Sequence, residues 1–306
     1  MTGNSITTKK QHYIPQVYLR GFSPEYEKGN IDLAYSRYTI YCYNLAEKKQ
    51  IDKAIPIKSV CYGKNLYEVT GDKGGIVLPN YLEHCFTMLE KGFGVYRSKL
   101  ECKAFIEDNY KTRCFLKREE KEFWLTYILI QIMRMPQILE AAEGVSLGTY
   151  KDTINAKQAK NIARTFCLPF FKEIKEDSKE KIVPDALFDP MKNMSFGVGV
   201  DRQARIITSD KPVFIHSKEF PCKEYDRVIF PITSEVCLIL FGKDDKKQYP
   251  KNFLFPIGDM EREVIFKSMV ASSFEKIYSN HLLEEKEKKL VEEVLAKKGG
   301  KVSGIF

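Results

Sequence analysis

The chain has 306 residues, of which 43% are hydrophobic and 29% are charged, and these values are typical of a soluble globular protein. Its net charge of +8 favours polyanionic partners only modestly, because Lys and Arg are interleaved with Glu and Asp, as in KREEKE. No apolar run reaches the roughly 18 residues that span a membrane and no secretory leader is visible, so we expect a cytoplasmic protein without membrane contact.

Sequence patterns predict two groups of strands separated by helices. Residues 1–10 are polar, and we expect them to be flexible. His12 then lies in extended chain before a short helix that starts at Pro15 and ends at Gly21. Strands are predicted over residues 37–44, 54–69 (broken at Gly63), 195–200, 205–207, 213–215, 227–230 and 236–241. Helices are predicted over residues 80–101, 117–137, 152–175, 259–278 and 282–296, with a short helix or turn over 184–194.

This order predicts an α+β fold with mixed, mainly antiparallel sheet elements packed against a bundle of longer helices. Strands and helices come in separate batches, so the regular alternation that builds a doubly wound parallel sheet is absent. Neither an internal repeat nor a linker is visible. We therefore expect a single domain over residues 1–306, in which residues 282–306 form a C-terminal helix and tail.

The first candidate site is the segment QHYIPQVYLRGF at residues 11–22. His12 is the natural acid or base candidate, because the unperturbed pKa of histidine lies near neutrality. Gln16 is a candidate for orienting a substrate, and Tyr18 and Arg20 are candidates for binding it. The alternative is structural: the aromatic residues dock this segment on the core, and His12 and Gln16 tie it down.

The second candidate site lies on the helix predicted in the middle of the chain. That helix is almost wholly apolar and is therefore expected to be buried, yet Gln131 and Arg134 lie three residues apart on one face. A buried guanidinium needs an anionic partner. The partner is either an external phosphate or a protein carboxylate such as Glu83, Glu90 or Asp210. A structural ion pair at the edge of the core is the alternative to a catalytic role.

The third candidate site is the polar step Thr208-Ser209-Asp210-Lys211-Pro212 between apolar strand residues. It places Asp210 and the binding candidate Ser209 at the end of a strand, where functional carboxylates are common. Asp followed two residues later by Pro is equally typical of a turn in which the carboxylate accepts backbone hydrogen bonds. Both interpretations stay open.

Other signatures of chemistry are missing from the sequence. The eight cysteines form no C-x-x-C pair, which favours reduced core thiols. No H-E-x-x-H or H-x-H spacing indicates a metal site. A Gly-rich phosphate loop and the G-x-S-x-G motif of α/β-hydrolases are absent as well.

Taken together, the three candidate sites resemble an uncharacterised bacterial family, domain of unknown function 4238. Residues 12–22 resemble its H-Y-x-P-Q-x-Y-L-x-x-F motif, and residues 208–213 resemble its T-S-D-x-P-V motif. Gln131, Arg134 and Pro136 resemble its Q-x-x-R-x-P motif.

The likeness extends over about residues 9–280 and includes Phe230-Pro231-Ile232-Thr233, which is similar to an F-P-L-S segment of the family. One departure lies in the last conserved helix, where many members carry an asparagine and this chain has Phe266-Lys267-Ser268. The resemblance implies a bacterial protein associated with antiviral defence. It implies no activity, because the family has none assigned.

Two functions fit these observations. The leading hypothesis is a cytoplasmic effector of antiviral defence with a phosphate-directed active site, in its most specific form a nuclease that acts on nucleic acid or a nucleotide. His12 would act as acid or base, Gln131 would orient the substrate and Arg134 would stabilise phosphoryl charge. Asp210, together with Glu83 or Glu90, would orient the histidine or hold a divalent metal. The alternative is a non-catalytic sensor or binding module that recognises a phage-encoded trigger, a nucleotide or nucleic acid.

Overall fold

The computed structural model describes residues 10–26, 37–71, 73, 75–77, 79–106, 115–150, 153–165, 191, 193–216, 225–242 and 252–297. Within these ranges it confirms the predicted α+β fold class. The helices are α1 (Gln16–Leu19), α2 (Tyr81–Ile106), α3 (Arg118–Met133), α4 (Pro136–Thr149), α5 (Ala156–Thr165), α6 (Asp259–Ser272) and α7 (Glu285–Lys297). None of the helices that can be described has the length and apolar character to cross a membrane.

The described strands form two five-stranded sheets and a two-stranded ribbon. They are β1 (Lys10–His12), β2 (Thr39–Asn44), β3 (Lys49–Gln50), β4 (Ile55–Pro56), β5 (Tyr62–Lys64), β6 (Ser195–Val200), β7 (Thr208–Ser209), β8 (Phe214–His216), β9 (Arg227–Pro231), β10 (Val236–Phe241), β11 (Asn252–Pro256) and β12 (Lys276–Ser279). The first sheet has the order β11-β6-β10-β9-β8, in which only the β11–β6 pair is parallel. The second has the order β3-β2-β12-β7, with β4 paired to β2, and the ribbon pairs β1 with β5.

The hydrophobic core joins the helices to the first sheet. Strands β6 and β10 are buried along their whole length, as expected for strands covered on both faces. Tyr127 of α3 stacks on Phe93 of α2 with 4.5 Å between ring centroids, and it also contacts Phe230 of β9. Burial of such aromatic rings dominates core energetics, so this group fixes α2 and α3 against the sheet.

The described cysteines are free thiols. Cys42, Cys61, Cys85 and Cys237 are buried, in agreement with the predicted core thiols, whereas Cys102 is exposed.

Two helix predictions are wrong at their C-terminal ends. The helix predicted over residues 117–137 stops at Met133, and α4 starts at Pro136. Proline lacks an N–H and forces the preceding Met135 into an extended conformation, with φ −67° and ψ 136°, so Pro136 begins a new helix rather than continuing α3. The helix predicted over residues 259–278 stops at Ser272, because the chain then pairs as β12 between β2 and β7.

Several strand boundaries also differ from the predictions. The strand predicted over residues 205–207 instead forms at β7, and β11 was not predicted. The predicted strand segment 54–69 is interrupted by the 3₁₀ turn Ile57–Ser59. Gly63, where the break was predicted, lies inside β5. Predictions also fall on residues 1–9, 152, 166–175, 184–190, 192 and 298–306, which lie outside the described part of the chain.

Gly21 has a packing role instead of the predicted role as a helix stop. The chain continues from α1 into a 3₁₀ turn, Arg20–Phe22. A Cβ on Gly21 would lie 2.8 Å from Thr233 Cγ2 and 2.9 Å from the Ile232 carbonyl oxygen. Glycine therefore allows this turn to approach the backbone after β9 closely.

Candidate functional site

The N-terminal segment, residues 10–22, contacts both of the other predicted sites at different points along its length. Its Tyr18 is fully buried and shares a 2.7 Å hydrogen bond with Thr208 Oγ1 at the start of the third site. The same ring stacks on Phe230 with 5.4 Å between centroids. Tyr18 therefore docks the segment on the core, as its structural alternative predicted.

The second site holds the backbone of the first. Arg134, which is 1% exposed, donates from Nη2 to the His12 carbonyl oxygen at 2.5 Å and from Nη1 to Glu90 Oε1 at 3.1 Å. One turn earlier on α3, Gln131 Nε2 donates to the Tyr13 carbonyl oxygen at 2.8 Å. Two successive carbonyl groups of the N-terminal segment are thus fixed by the end of one helix.

Further anchors of this segment were not identified from the sequence. Arg97 of α2 donates from Nη1 to the Val17 carbonyl oxygen at 2.6 Å. Gln11 is fully buried, and its Nε2 donates to Glu68 Oε1 at 2.6 Å while its Oε1 accepts from Tyr67 N at 2.7 Å. For the contacts of Gln11 with Glu68 and Tyr67, the only signal in the sequence was the position of Gln11 directly before His12.

Several carboxyl groups surround the single guanidinium of Arg134. We call His12, Glu83, Glu90, Gln131 and Arg134 the arginine cluster. Burial raises the pKa of Glu90 against the attraction of Arg134. Burial, together with repulsion by Glu90 and the nearby Glu68, raises the pKa of Glu83 to about 7, although Arg134 opposes the shift. Of the carboxylates predicted as partners of Arg134, Glu90 pairs with it directly and Glu83 interacts with its charge.

Four buried polar atoms of the arginine cluster have no hydrogen-bond partner among the described residues. They are His12 Nε2, Glu83 Oε1, Gln131 Oε1 and Arg134 Nε. Buried polar atoms in proteins are nearly always bonded to protein, water or ligand. A water molecule or a ligand is therefore the expected partner of these atoms.

The His12 ring is neutral at neutral pH. Burial lowers its pKa to about 4, a hydrogen bond with the Lys58 backbone opposes that shift, and the charges of Arg134 and Lys10 reinforce it. A neutral imidazole is able to accept a proton, but a ring with so low a pKa is a weak base.

The third site lies apart from the arginine cluster and is a turn anchor. The carboxylate of Asp210, a residue that is 5% exposed, accepts four hydrogen bonds. Ser273 Oγ and Phe274 N donate to Oδ1 at 2.9 and 2.8 Å, and Glu275 N and Lys276 N donate to Oδ2 at 2.8 and 3.0 Å. Burial raises the pKa of Asp210, and these four donors oppose that shift. The carboxylate accepts backbone hydrogen bonds as the turn alternative predicted, but the donors lie in the distant segment 273–276 and not in the turn around Pro212.

The remaining predicted residues have local surroundings. Ser209 Oγ donates to the Lys211 carbonyl oxygen at 2.7 Å within the same turn. The Arg20 guanidinium carbon lies 5.2 Å from the centroid of the Tyr38 ring. Gln16 is half-buried at the first position of α1, and its side chain makes no hydrogen bond to the described residues.

A cleft of about 690 Å³ opens beside the N-terminal segment, and we call it the tyrosine cleft. Its walls include Tyr13, Cys42, Cys61, Tyr278 and Asp210. Pockets of roughly 300–1,000 Å³ are typical of small-molecule sites. Tyr13 therefore links the two sites: its carbonyl oxygen accepts a hydrogen bond from Gln131 of the arginine cluster, and its side chain lines the cleft.

Cys61 joins the two sides of the cleft wall. Its backbone has φ 54°, a left-handed conformation that is uncommon for a residue with a side chain. Its carbonyl oxygen accepts from Tyr13 N at 2.9 Å, and its thiol donates to Tyr278 Oη at 3.4 Å. Burial raises the pKa of the Cys61 thiol and of both tyrosine hydroxyls, so all three groups are neutral at pH 7. The cleft wall therefore presents hydrogen-bonding groups and no thiolate nucleophile.

Neither the arginine cluster nor the tyrosine cleft contains a group of described side chains that could bind a metal ion. In the ranges that the structure covers, no group of three or more His, Cys, Asp and Glu side chains is arranged to hold a metal ion.

Comparison with known proteins identifies one match. A family model described as "Protein of unknown function (DUF4238)" matches residues 10–282. No curated protein and no solved structure matches the chain. The matched range includes all three predicted sites and the residues that line the tyrosine cleft.

Proposed function

Since this chain belongs to the DUF4238 family, whose members are described only as proteins of unknown function, we propose its function from the geometry of its two polar sites. We propose that it is a binding module, or sensor, that takes a small ligand into the tyrosine cleft. The setting implied by the family resemblance belongs to the same proposal: antiviral defence in the bacterial cytoplasm, with a phage-encoded trigger.

The observation that carries this proposal is that residues 12 and 13 contact both the arginine cluster and the tyrosine cleft. Their carbonyl groups are held by Arg134 and Gln131, and the Tyr13 side chain lines a cleft of small-molecule size. A polar network that fixes backbone in this way preorganises a wall of the cleft, which reduces the cost of ordering the site on binding. In this proposal the arginine cluster supports the ligand site without contacting the ligand.

The same contacts weigh against a phosphate-directed reaction at the predicted residues. Both terminal nitrogens of Arg134 donate to protein groups, and both oxygens of Asp210 accept two hydrogen bonds each. A phosphate would have to displace Glu90 or a backbone carbonyl from a guanidinium that is 1% exposed. Breaking a buried ion pair costs about 3–5 kcal/mol, so the ligand would have to recover that cost.

A ligand screen with a blocked cleft tests the proposal. Purified protein is mixed with nucleotides, sugar phosphates, amines and amino acids, and its melting temperature is recorded. Ile51→Trp places a large ring at the mouth, where Ile51 is 41% exposed and lines the cleft. Val145→Trp is the matched control, since Val145 is 69% exposed on α4 and does not line the cleft. We expect a stabilising ligand to act on wild type and Val145→Trp and to lose its effect on Ile51→Trp.

Equal stabilisation of both tryptophan variants would place the ligand elsewhere. Degradation of RNA, DNA or nucleotides by the purified protein, with or without Mg²⁺ or Mn²⁺, and with no stabilising ligand found, would overturn the proposal in favour of an enzyme.

The second candidate function is the phosphate-directed hydrolase, and the four unpartnered atoms of the arginine cluster favour it. Glu83, with a pKa of about 7, is the acid or base best matched to neutral pH in that cluster. Under this candidate, Glu83→Gln abolishes hydrolysis of nucleic acid or nucleotides and leaves the fold intact by circular dichroism. A Glu140→Gln variant, with an exposed carboxyl on α4, is the control.

A further inference from the structure

The register of the second sheet aligns three hydrogen-bond donors on one face of the tyrosine cleft. Asn44 of β2 lies directly opposite Lys49 of β3 on one side and Lys276 of β12 on the other. Residues opposite each other across antiparallel strands point to the same face, and all three line the cleft. Since neighbouring strands lie about 4.8 Å apart, the two lysine Cα atoms are roughly 10 Å apart with the asparagine between them. We call these three residues the donor row.

The donor row is available to a ligand. Asn44 Oδ1 accepts from Ala46 N at 3.0 Å and from Glu47 N at 3.1 Å, and its Nδ2 donates to no other residue that the structure describes. Neither Lys49 nor Lys276 forms an ion pair with any residue in the described ranges. Two ammonium groups with an amide N–H between them match the oxygens of a phosphate.

The next row on the same sheet face has a different character. Cys42 and Tyr278 are opposite each other, two residues along the strands from the donor row, or roughly 7 Å away. Tyr278 contacts Cys61, and Tyr13 completes this part of the wall with Glu275 nearby. Tyr278 is 2% exposed, so the half-buried Tyr13 is the ring that a ligand can reach. An aromatic ring with a carboxylate beside it suits a planar ring that carries N–H donors.

We infer that the ligand of the tyrosine cleft is a nucleoside phosphate, with its phosphate on the donor row and its nucleoside part against Tyr13. This inference rests on the proposed function and specifies the ligand class.

A competing interpretation is an organic cation. Four carboxyl groups line the cleft, from Glu47, Asp52, Asp210 and Glu275, against the two lysines. However, the Asp210 oxygens are already occupied by four donors within the protein, so this carboxylate is not free to pair with a bound amine. The aligned donors therefore define the anion end of the ligand, and an amine becomes an outcome of the test.

Calorimetric titration of the full chain with five probes tests the inference. The probes are ATP, AMP, adenosine, inorganic phosphate and spermidine. We expect AMP or ATP to bind, and adenosine to bind at least about tenfold more weakly, because charge-assisted hydrogen bonds to the phosphate are lost. Lys49→Ala and Lys276→Ala should each weaken nucleotide binding by about tenfold or more. Lys53→Ala is the control, because Lys53 is exposed close to the cleft without lining it.

Each other outcome counts against the nucleotide. Equal affinities for adenosine and AMP, or unchanged nucleotide affinity in both lysine variants with native circular dichroism, overturn the donor row. Spermidine binding that exceeds AMP binding and is lost in Glu275→Gln overturns the nucleotide but keeps the cleft as a binding site. Failure of all nucleotides to bind overturns the inference as well. The Ile51→Trp comparison decides the proposed function separately, because it scores ligands of every class.

Discussion

Replacing Asp210 with asparagine separates a structural role of this residue from a catalytic one. Each carboxylate oxygen accepts two hydrogen bonds from residues 273–276. Of the four donors, one is Ser273 Oγ and three are backbone N–H groups. An asparagine keeps one acceptor oxygen and turns an NH₂ group towards the other pair of donors. Two donors in a buried turn then lose their acceptor.

The magnitude follows from the cost of an unpaired buried donor, which is about 1–3 kcal/mol. Two of them predict that Asp210→Asn lowers the free energy of unfolding by about 2–6 kcal/mol, a large part of the roughly 5–15 kcal/mol that holds a domain folded. Urea denaturation at pH 7 measures it, with the fluorescence of the single, buried Trp124 as the probe. Asp52→Asn, at an exposed carboxyl, should stay within about 0.5 kcal/mol of wild type.

The coupling between Asp210 and Ser273 sharpens the test. If the hydrogen bond is structural, Ser273→Ala should cost less in the Asp210→Asn background than in wild type, because the bond is already weakened. An unchanged denaturation midpoint for Asp210→Asn, combined with lost ligand binding or lost hydrolysis, would refute this reasoning and return Asp210 to a direct role.

Three further substitutions test the arginine cluster and the docking of the N-terminal segment. The folded-state pKa of Glu83, about 7, exceeds its value of about 4.3 in an unfolded chain, so its contribution to stability is complete below about pH 4.3 and is lost as pH rises through 7. Glu83→Gln should therefore gain stability relative to wild type between pH 5 and 8, and a constant difference in melting temperature would contradict the assigned shift. The His12 pKa, about 4, lies below its unfolded value of about 6.5, so the protein loses stability as pH falls from 6.5 towards 4. His12→Gln should remove that loss, which denaturation series at pH 4.5 and 7 would measure. Gly21→Ala should destabilise the protein by about 1–3 kcal/mol, because the added Cβ would clash with Thr233. The control Gly148→Ala, whose Cβ would meet nothing within 4 Å on α4, should stabilise it by about 0.5–1 kcal/mol. The reverse order of stabilities in urea denaturation would contradict the packing role of Gly21.

Elements with strong local periodicity could be predicted from the sequence. The helix α2 and the fully buried strand β10 appear close to their predicted limits, because the apolar spacing along each is sufficient to define it. The strand β12 could not be predicted in this way. Its four residues continue the helical pattern of α6 without a proline or glycine, and their conformation is decided by pairing with β2, more than 200 residues earlier in the chain.

The candidate sites show the same division between local and long-range information. Burial of Arg134 required an anionic partner, and the sequence left three carboxylates open. The structure selects Glu90, keeps Glu83 nearby and uses Asp210 in a separate turn. Cys61 carried no local signal, since its role depends on a backbone conformation and on Tyr278, which lies far away in the sequence.

The docking of the N-terminal segment also affects how the chain folds during synthesis. Residues 10–22 leave the ribosome well before Arg134, Thr208 and Phe230, which hold them in the core. Until then Tyr18 and its apolar neighbours lack their native cover, and exposed apolar segments of this kind favour aggregation. Contacts so distant in sequence also slow folding, because a long loop must close before they form. A nascent chain of this protein is therefore expected to depend on chaperone protection until β9 has been synthesised.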